Sequence, residues 1–194
     1  MNIAVRAILF LTLLLAGCAT PRIVVLSDPL DARERNDLGA SYESAGEPDL
    51  ALQAYAEAAD KDPSWDQPLI NLGNVHAARG QWPEAEGAYR KALRRNNANP
   101  EAMNNLAYSL ARQRRTAEAL EWSGTALALD SGNPLFMSTR ALALLQSGRR
   151  DEAVALLDQA LSALPAGDPL RQEAAALRDR ALRAAPGQNV DMWP

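Results

Sequence analysis

Small residues recur along this chain with a period of 34 positions. Alanine occupies two such rows, at Ala51, Ala85, Ala119 and Ala153 and again at Ala58, Ala92, Ala126 and Ala160. A third row holds only glycine or alanine, at Gly39, Gly73, Ala107 and Ala141. Apolar residues between the rows lie three or four positions apart, which is the spacing of one helix face. A fixed period of this length predicts a stack of helix pairs that cross closely where no large side chain fits.

Glycine and proline mark the expected ends of these helices. Gly46, Gly80 and Gly148 share one repeat position, where the chain must turn within a pair, and Arg114 replaces the glycine in the third copy. Capping side chains precede prolines at Asn99-Pro100, Asn133-Pro134 and Asp168-Pro169. The predicted repeats are therefore 32–65, 66–99, 100–133 and 134–167, followed by a capping helix over 168–185 and a flexible tail over 186–194.

Residues within each copy resemble the tetratricopeptide repeat. In that family the first helix carries Leu-Gly and then an aromatic residue, and the second carries an aromatic between two alanines. The first copy matches at Leu38-Gly39, Tyr42 and Tyr55, whereas the third has Ser123 at the aromatic place and the fourth has Arg140 where leucine is usual. The resemblance implies an all-α fold: a right-handed superhelical stack of helix-turn-helix repeats with a C-terminal capping helix.

In this family, peptides lie in a concave groove formed by the first helices. The resemblance implies that the matching groove positions here are Asn36, Asn71, Asn74, Asn104, Asn105, Tyr108 and Arg112. Asparagine amides both donate to and accept from an extended backbone, although the ordinary repeat consensus explains Asn71 and Asn105 equally well. In the fourth copy Leu135, Leu142 and Leu145 are expected to make the groove more apolar, as a dock for a hydrophobic side chain or another subunit.

The N-terminal residues have the pattern of a bacterial lipoprotein signal. Arg6 precedes an apolar run, 7–16, which is too short to span a bilayer but suits a secretory signal core. The motif Leu15-Ala16-Gly17-Cys18 resembles the lipobox. It implies a signal peptide over 1–17, palmitate or a similar acyl chain on Cys18, and a tether over 18–31; an ordinary signal peptide with a chance cysteine is the alternative. Ala19 after the cysteine implies the periplasmic face of an outer membrane, where the cell has one.

Composition argues against a catalytic or metal site and against nucleic acid as a partner. The net charge is −4, and the chain contains one histidine, His76, and one cysteine, Cys18. A basic field is needed for non-specific nucleic-acid binding, and metal sites gather several ligands. We therefore expect no catalytic residue, no metal and no cofactor. The expectation is a membrane-anchored adaptor of the cell envelope that binds a protein or peptide, of the kind that assembles a pilus, a secretion system or an outer-membrane complex.

Two other functions remain open at this stage. The stretch 26–30 running into Asn36-Asp37-Leu38-Gly39 is similar to repeat segments found with bacterial papain-like cysteine peptidases, which implies an accessory protein of such an envelope peptidase. The second alternative is a self-assembling structural lipoprotein that forms homo-oligomers through the fourth copy and the capping helix. Trp193 in the tail could dock on a partner or on the chain's own groove.

Overall fold

The computed structural model describes residues 29–183, which form nine α-helices joined by short turns. These are α1 Ala32–Ser44, α2 Pro48–Lys61, α3 Gln67–Ala78, α4 Trp82–Arg95, α5 Pro100–Arg112, α6 Thr116–Leu129, α7 Pro134–Gln146, α8 Arg150–Ala163 and α9 Pro169–Arg183. Each odd-numbered helix up to α7 packs against the next helix, and successive pairs stack on one another. This all-α stack confirms the predicted fold class. The predicted signal peptide, Cys18 and the tail lie outside the described residues.

Side chains fix the starts of several helices, as the proline pattern predicts. Asn99 Oδ1 accepts a hydrogen bond from a backbone amide in the first turn of α5 at 3.0 Å. Asn133 and Asp168 cap α7 and α9 in the same way. Helix α1 begins with a reciprocal capping box, in which Asp31 and Glu34 each accept from the other's backbone amide. These bonds satisfy amides that have no partner within their own helix.

The turn within each helix pair passes through a left-handed residue. Gly46, Gly80 and Gly148 have φ values of 75°, 72° and 79°, and Arg114 has a φ of 61° at the equivalent place. Glycine adopts this region without steric cost, whereas other L-residues do not. The third copy therefore carries local backbone strain that the other three copies avoid.

Arg140 occupies a position where the other three copies have leucine, and the neighbouring helix accommodates it. Its guanidinium donates to the carbonyl oxygen of Leu120 at 2.7 Å. A β-carbon placed on Gly124 would lie 2.7 Å from Nη1 of Arg140. Burial lowers the pKa of Arg140, with a further lowering by the nearby positive charge of Arg149. The glycine on α6 thus provides the space for the arginine on α7.

The buried apolar residues form two clusters of unequal size. The larger cluster runs from Ala59 at the end of the first repeat to α9 and includes Leu106, Leu110 and Leu157, all fully buried. The smaller has only Ala51, Tyr55 and Val75 as buried members, and it joins the first repeat to the second. Within residues 29–183, no helix is long and apolar enough to cross a bilayer.

Candidate peptide-binding groove

A groove opens at the C-terminal half of the stack, where α5, α7 and α9 lie side by side. Its volume is about 640 Å³, within the range of about 300–1,000 Å³ typical of ligand sites. The lining residues are Asn104, Asn105, Tyr108, Leu135, Ser138, Thr139, Leu142, Leu170, Gln172, Glu173, Ala174, Ala176, Leu177 and Arg180. Two repeats and the capping helix therefore contribute to one site.

The walls of the groove are mainly apolar. Leu135 at the start of α7 remains 43% exposed, although it is a large aliphatic side chain. Leu142 lies two helical turns further along α7 and is nearly buried. Leu170 and Leu177 line the α9 side. Leu145 does not line the groove: it is 2% exposed and packs in the main core. The expectation that Leu145 contributes to the groove is wrong, because its side of α7 is covered by the core.

The polar part of the lining contains an unsatisfied acceptor. Asn104 is 2% exposed, and its Nδ2 donates to Oδ1 of Asn105 at 3.2 Å. The Oδ1 of Asn104 finds no hydrogen-bond partner among residues 29–183. Leaving a buried acceptor unpaired costs about 1–3 kcal/mol. This oxygen is covered by neighbouring atoms, so a donor in the groove would remove that cost only after the Asn104 amide turned toward it.

Asparagines on the first helices bond to one another between repeats. Asn71 Nδ2 donates to Oδ1 of Asn36 at 2.8 Å, and Asn105 Nδ2 donates to Oδ1 of Asn74 at 3.1 Å. The hydroxyl of Tyr89 donates to the same Asn74 oxygen at 2.8 Å. Burial raises the pKa of Tyr89, with a smaller contribution from the charge of Glu101, so the phenol stays a neutral donor. These amides hold neighbouring repeats in register.

An aromatic and cationic cluster lies at the other edge of α5. The guanidinium carbon of Arg112 is 4.3 Å from the ring centroid of Trp82 and 5.9 Å from that of Tyr108. The two rings meet edge to face with their centroids 5.9 Å apart. The edge-to-face contact and the two cation–π contacts together hold the three side chains in place. Tyr108 lies between the groove and a second depression of about 620 Å³, which Trp82 and Arg112 line together with residues 77–80.

Comparison with known sequences assigns the repeat. A tetratricopeptide-repeat family profile matches residues 22–64 and 70–134, and a second tetratricopeptide-repeat profile matches residues 134–159. The chain belongs to the tetratricopeptide-repeat family. No curated protein matches its sequence.

Solved structures share this tetratricopeptide-repeat fold at low sequence identity. The crystal structure of MamA protein has a TM-score of 0.63 and 21% identity, over 78% of this chain and 86% of MamA. PilW, a widely conserved type IV pilus biogenesis factor, has a TM-score of 0.68 and 21% identity, over 77% of this chain and 70% of PilW. A chain of the APC/C hetero-tetramer Cut9-Hcn1 has a TM-score of 0.67 and 18% identity, over 79% of this chain and 30% of its own length. Identities in this range show the fold alone.

The residues expected in a tetratricopeptide-repeat groove fall into three places. Asn104, Asn105 and Tyr108 line the groove, and Arg112 lines the second depression. Asn36, Asn71 and Asn74 belong to the first two repeats, where their amides bond between helices. Of the predicted set, Asn36 and Asn104 are buried and present little surface to a ligand.

Sequence reasoning missed two contributors to the site. One is Trp82, which begins α4 and contacts α5 only once the repeats are stacked. The other is the α9 wall, and here a signal was present. Adding one 34-residue period to Ser138, Thr139, Leu142 and Gln146 gives Gln172, Glu173, Ala176 and Arg180, all of which line the groove. The capping helix thus continues the tetratricopeptide-repeat surface in the position of the first helix of a further repeat.

The described part of the chain provides a binding surface without an assembled metal site. Within it, no three or more His, Cys, Asp or Glu residues lie close enough to hold a metal ion. The only histidine of the sequence, His76, is half-buried, and its Nδ1 lies 2.8 Å from Oε1 of Gln81. What the geometry offers is a mainly apolar groove, with the buried side chain of Asn104 among its lining residues.

Proposed function

We propose that this protein is a membrane-anchored tetratricopeptide-repeat adaptor that binds an extended segment of a partner protein in the groove between α5, α7 and α9. The observation that carries the proposal is the half-exposed Leu135 in the same groove as the buried Asn104. An apolar side chain of the partner would cover Leu135. A backbone N–H of the same segment would donate to Asn104 Oδ1 once the amide turned toward the groove, and this oxygen lacks a partner within the described chain.

Anchoring is the second half of the proposal. It is supported by the lipobox-like motif that ends at Cys18, the chain's only cysteine. A lipid on Cys18 would hold the groove near a membrane surface, which raises the local concentration of a weak partner without new contacts. We place the protein in the cell envelope, at the periplasmic face of the outer membrane. Its fold likeness to PilW makes pilus assembly the first process to test.

A site-specific photo-cross-linking experiment in intact cells tests the groove. Gln172 lines the groove and Gln159 does not, and both are exposed on helices. We replace each in turn with p-benzoyl-phenylalanine in the full chain. The expected result is one partner protein linked at position 172, absent at position 159, and reduced by Leu135→Gln. Equal labelling at both positions, or no partner at 172, overturns the proposed function.

Metabolic labelling tests the anchor. Labelled palmitate should enter the wild-type chain and should be absent from Cys18→Ser, because the thiol is the only acylation site that the motif implies. Thr20→Ser, two residues further along, serves as the matched control and should keep the label. Retention of the label in Cys18→Ser would place the acyl chain elsewhere or refute lipidation at this cysteine.

A further inference from the structure

The C-terminal end of the described α9 lies at the edge of the groove. Arg180 lines the groove, and the structure describes α9 as far as Arg183, three residues later. The residues that follow are Ala184-Ala185-Pro186-Gly187 and then Gln188-Asn189-Val190-Asp191-Met192-Trp193. Pro-Gly is a turn-forming pair. Because only two residues separate it from Arg183, it favours a reversal of the chain close to α9.

The segment after α9 is long enough to run back along the groove. Residues 188–193, which follow the Pro-Gly pair, span up to about 20 Å if extended. The α9 wall from Leu170 to Arg180 is about 15 Å long at the rise of an α-helix. A reversed segment can therefore run along most of the wall and bring Trp193 between α7 and α9.

The chemistry of the segment matches the groove. Val190, Met192 and Trp193 are apolar, and the groove offers the exposed face of Leu135. An indole carries a single N–H that only donates, and it needs an acceptor when it is buried. The buried Oδ1 of Asn104 is an acceptor with no partner between residues 29 and 183. Charge agrees as well, since Asp191 would approach Arg180, with Glu173 two helical turns away on the same wall.

We infer that residues 188–193 of this chain are an intramolecular occupant of the groove, with the Trp193 indole between Leu135 and the α9 wall. The inference rests on the groove of the proposed function and adds its regulation. A segment on a short linker faces its site at an effective concentration of the order of millimolar. Even a weak contact is then largely formed, and a partner must displace the segment before it binds.

Photo-cross-linking from position 193 tests this inference in the full chain and in intact cells. With p-benzoyl-phenylalanine in place of Trp193, irradiation should link position 193 to peptides that contain residues 135–142 or 170–180 of the same polypeptide. The product should migrate as a monomer. Leu135→Gln should lower the yield about threefold, since an apolar contact is lost. The matched Leu129→Gln, on an exposed leucine that does not line the groove, should leave the yield unchanged.

A peptide titration gives the second measurement. A fluorescein-labelled peptide of residues 184–194 should bind the full-length Trp193→Ala chain about threefold or more tighter than wild type, since the wild-type segment competes for the same site. Equal binding to both chains overturns the inference.

The two proposals fail in different ways. Links from position 193 to a second copy, to another protein or to nothing overturn the inference, and the probe at Gln172 then reports separately on the groove. If position 193 links to the groove but Gln172 captures no partner, the proposed function fails and the intramolecular contact stands.

Discussion

A β-carbon placed on Gly73 would lie 2.4 Å from Cε1 of Tyr89, so the backbone of α3 packs directly on the tyrosine ring of α4. Gly39 and Tyr55 have the same relationship in the first repeat, at 2.6 Å. In the third and fourth repeats, where the ring position holds Ser123 and Leu157, the glycine position holds Ala107 and Ala141. The size of one residue in each helix pair therefore sets the size of the other.

Gly73→Ala should destabilise the protein despite the better helix propensity of alanine. Alanine gains about 1 kcal/mol over glycine within a helix, but overpacking against a ring that is 2% exposed costs about 1–3 kcal/mol. We expect the free energy of unfolding to fall by about 1 kcal/mol, measured by urea denaturation.

Two further variants separate packing from propensity in this test. Gly87 lies in α4, and a β-carbon placed on it would meet no neighbouring atom within 4 Å, so Gly87→Ala should stabilise the fold by up to about 1 kcal/mol. Adding Tyr89→Ser to Gly73→Ala should remove the clash, at the cost of a cavity. If Gly73→Ala is as stabilising as Gly87→Ala, the ring does not constrain this position.

Arg114→Gly should stabilise the third repeat. Arg114 has a φ of 61°, in a region that costs a non-glycine residue about 1–2 kcal/mol. Glycine removes this strain but also increases the freedom of the unfolded chain, so we expect a net gain of about 0.5–1 kcal/mol in thermal unfolding experiments. The reverse change, Gly80→Arg at the equivalent turn, should destabilise by a similar amount. A loss of stability in Arg114→Gly would show that contacts of the arginine outweigh its backbone strain.

Glu86 links stability to pH. Burial alone would raise its pKa, but hydrogen bonds from Arg90, Gln113 and Arg115 outweigh burial and lower it. The nearest of these, from Arg115 Nη1, is 2.6 Å long. A carboxylate with a depressed pKa contributes stability that is fully present above the ordinary glutamate pKa of about 4.3 and is lost as the pH falls through the lower, folded-state value.

Glu86→Gln should therefore cost stability at pH 7 and progressively less in acid. Breaking bonds to charged groups typically costs about 1–3 kcal/mol, and the difference from wild type should shrink as the pH drops below about 4. Denaturant titrations at several pH values measure both quantities. Glu84→Gln, an exposed neighbour on the same helix, is the control and should show a change within about 0.5 kcal/mol. A pH-independent difference for Glu86→Gln would contradict the linkage.

Leu135→Gln should weaken binding of the groove partner without unfolding the protein. Full burial of a leucine is worth about 1.5–3 kcal/mol, and Leu135 is 43% exposed before binding. Burial of the exposed part of this side chain by the partner corresponds to about 1 kcal/mol. Its loss should raise Kd about fivefold, measured by calorimetry with the captured partner. Leu129→Gln is the matched control, since Leu129 is 55% exposed at the end of α6, outside the groove. Equal effects of the two changes would exclude the groove as the binding surface.

Local rules in the sequence predicted most of the fold. The Asn-Pro pairs gave the starts of α5 and α7, because a cap and its proline act within one turn. The position of Trp82 beside Arg112 could not be read in this way, since it depends on how two repeats stack. Leu145 was misassigned for a related reason: periodicity places it on an apolar face without saying which neighbour covers that face. Asn104 was found from the family pattern, but its buried, unsatisfied oxygen follows only from three-dimensional packing.

The unequal division of the core has a mechanical consequence. The first repeat lies against the second through the small cluster of Ala51, Tyr55 and Val75, together with Ala59 of the larger cluster and the hydrogen bond from Asn71 to Asn36. The groove lies at the opposite end, within the larger cluster. If the N-terminus is fixed to a membrane and a partner pulls on the groove, tension passes through the first repeat before it strains the site. Because its apolar cluster is the smaller of the two, we expect the first repeat to unfold before the groove does. Its unfolding would lengthen the connection to the membrane while the partner stays bound.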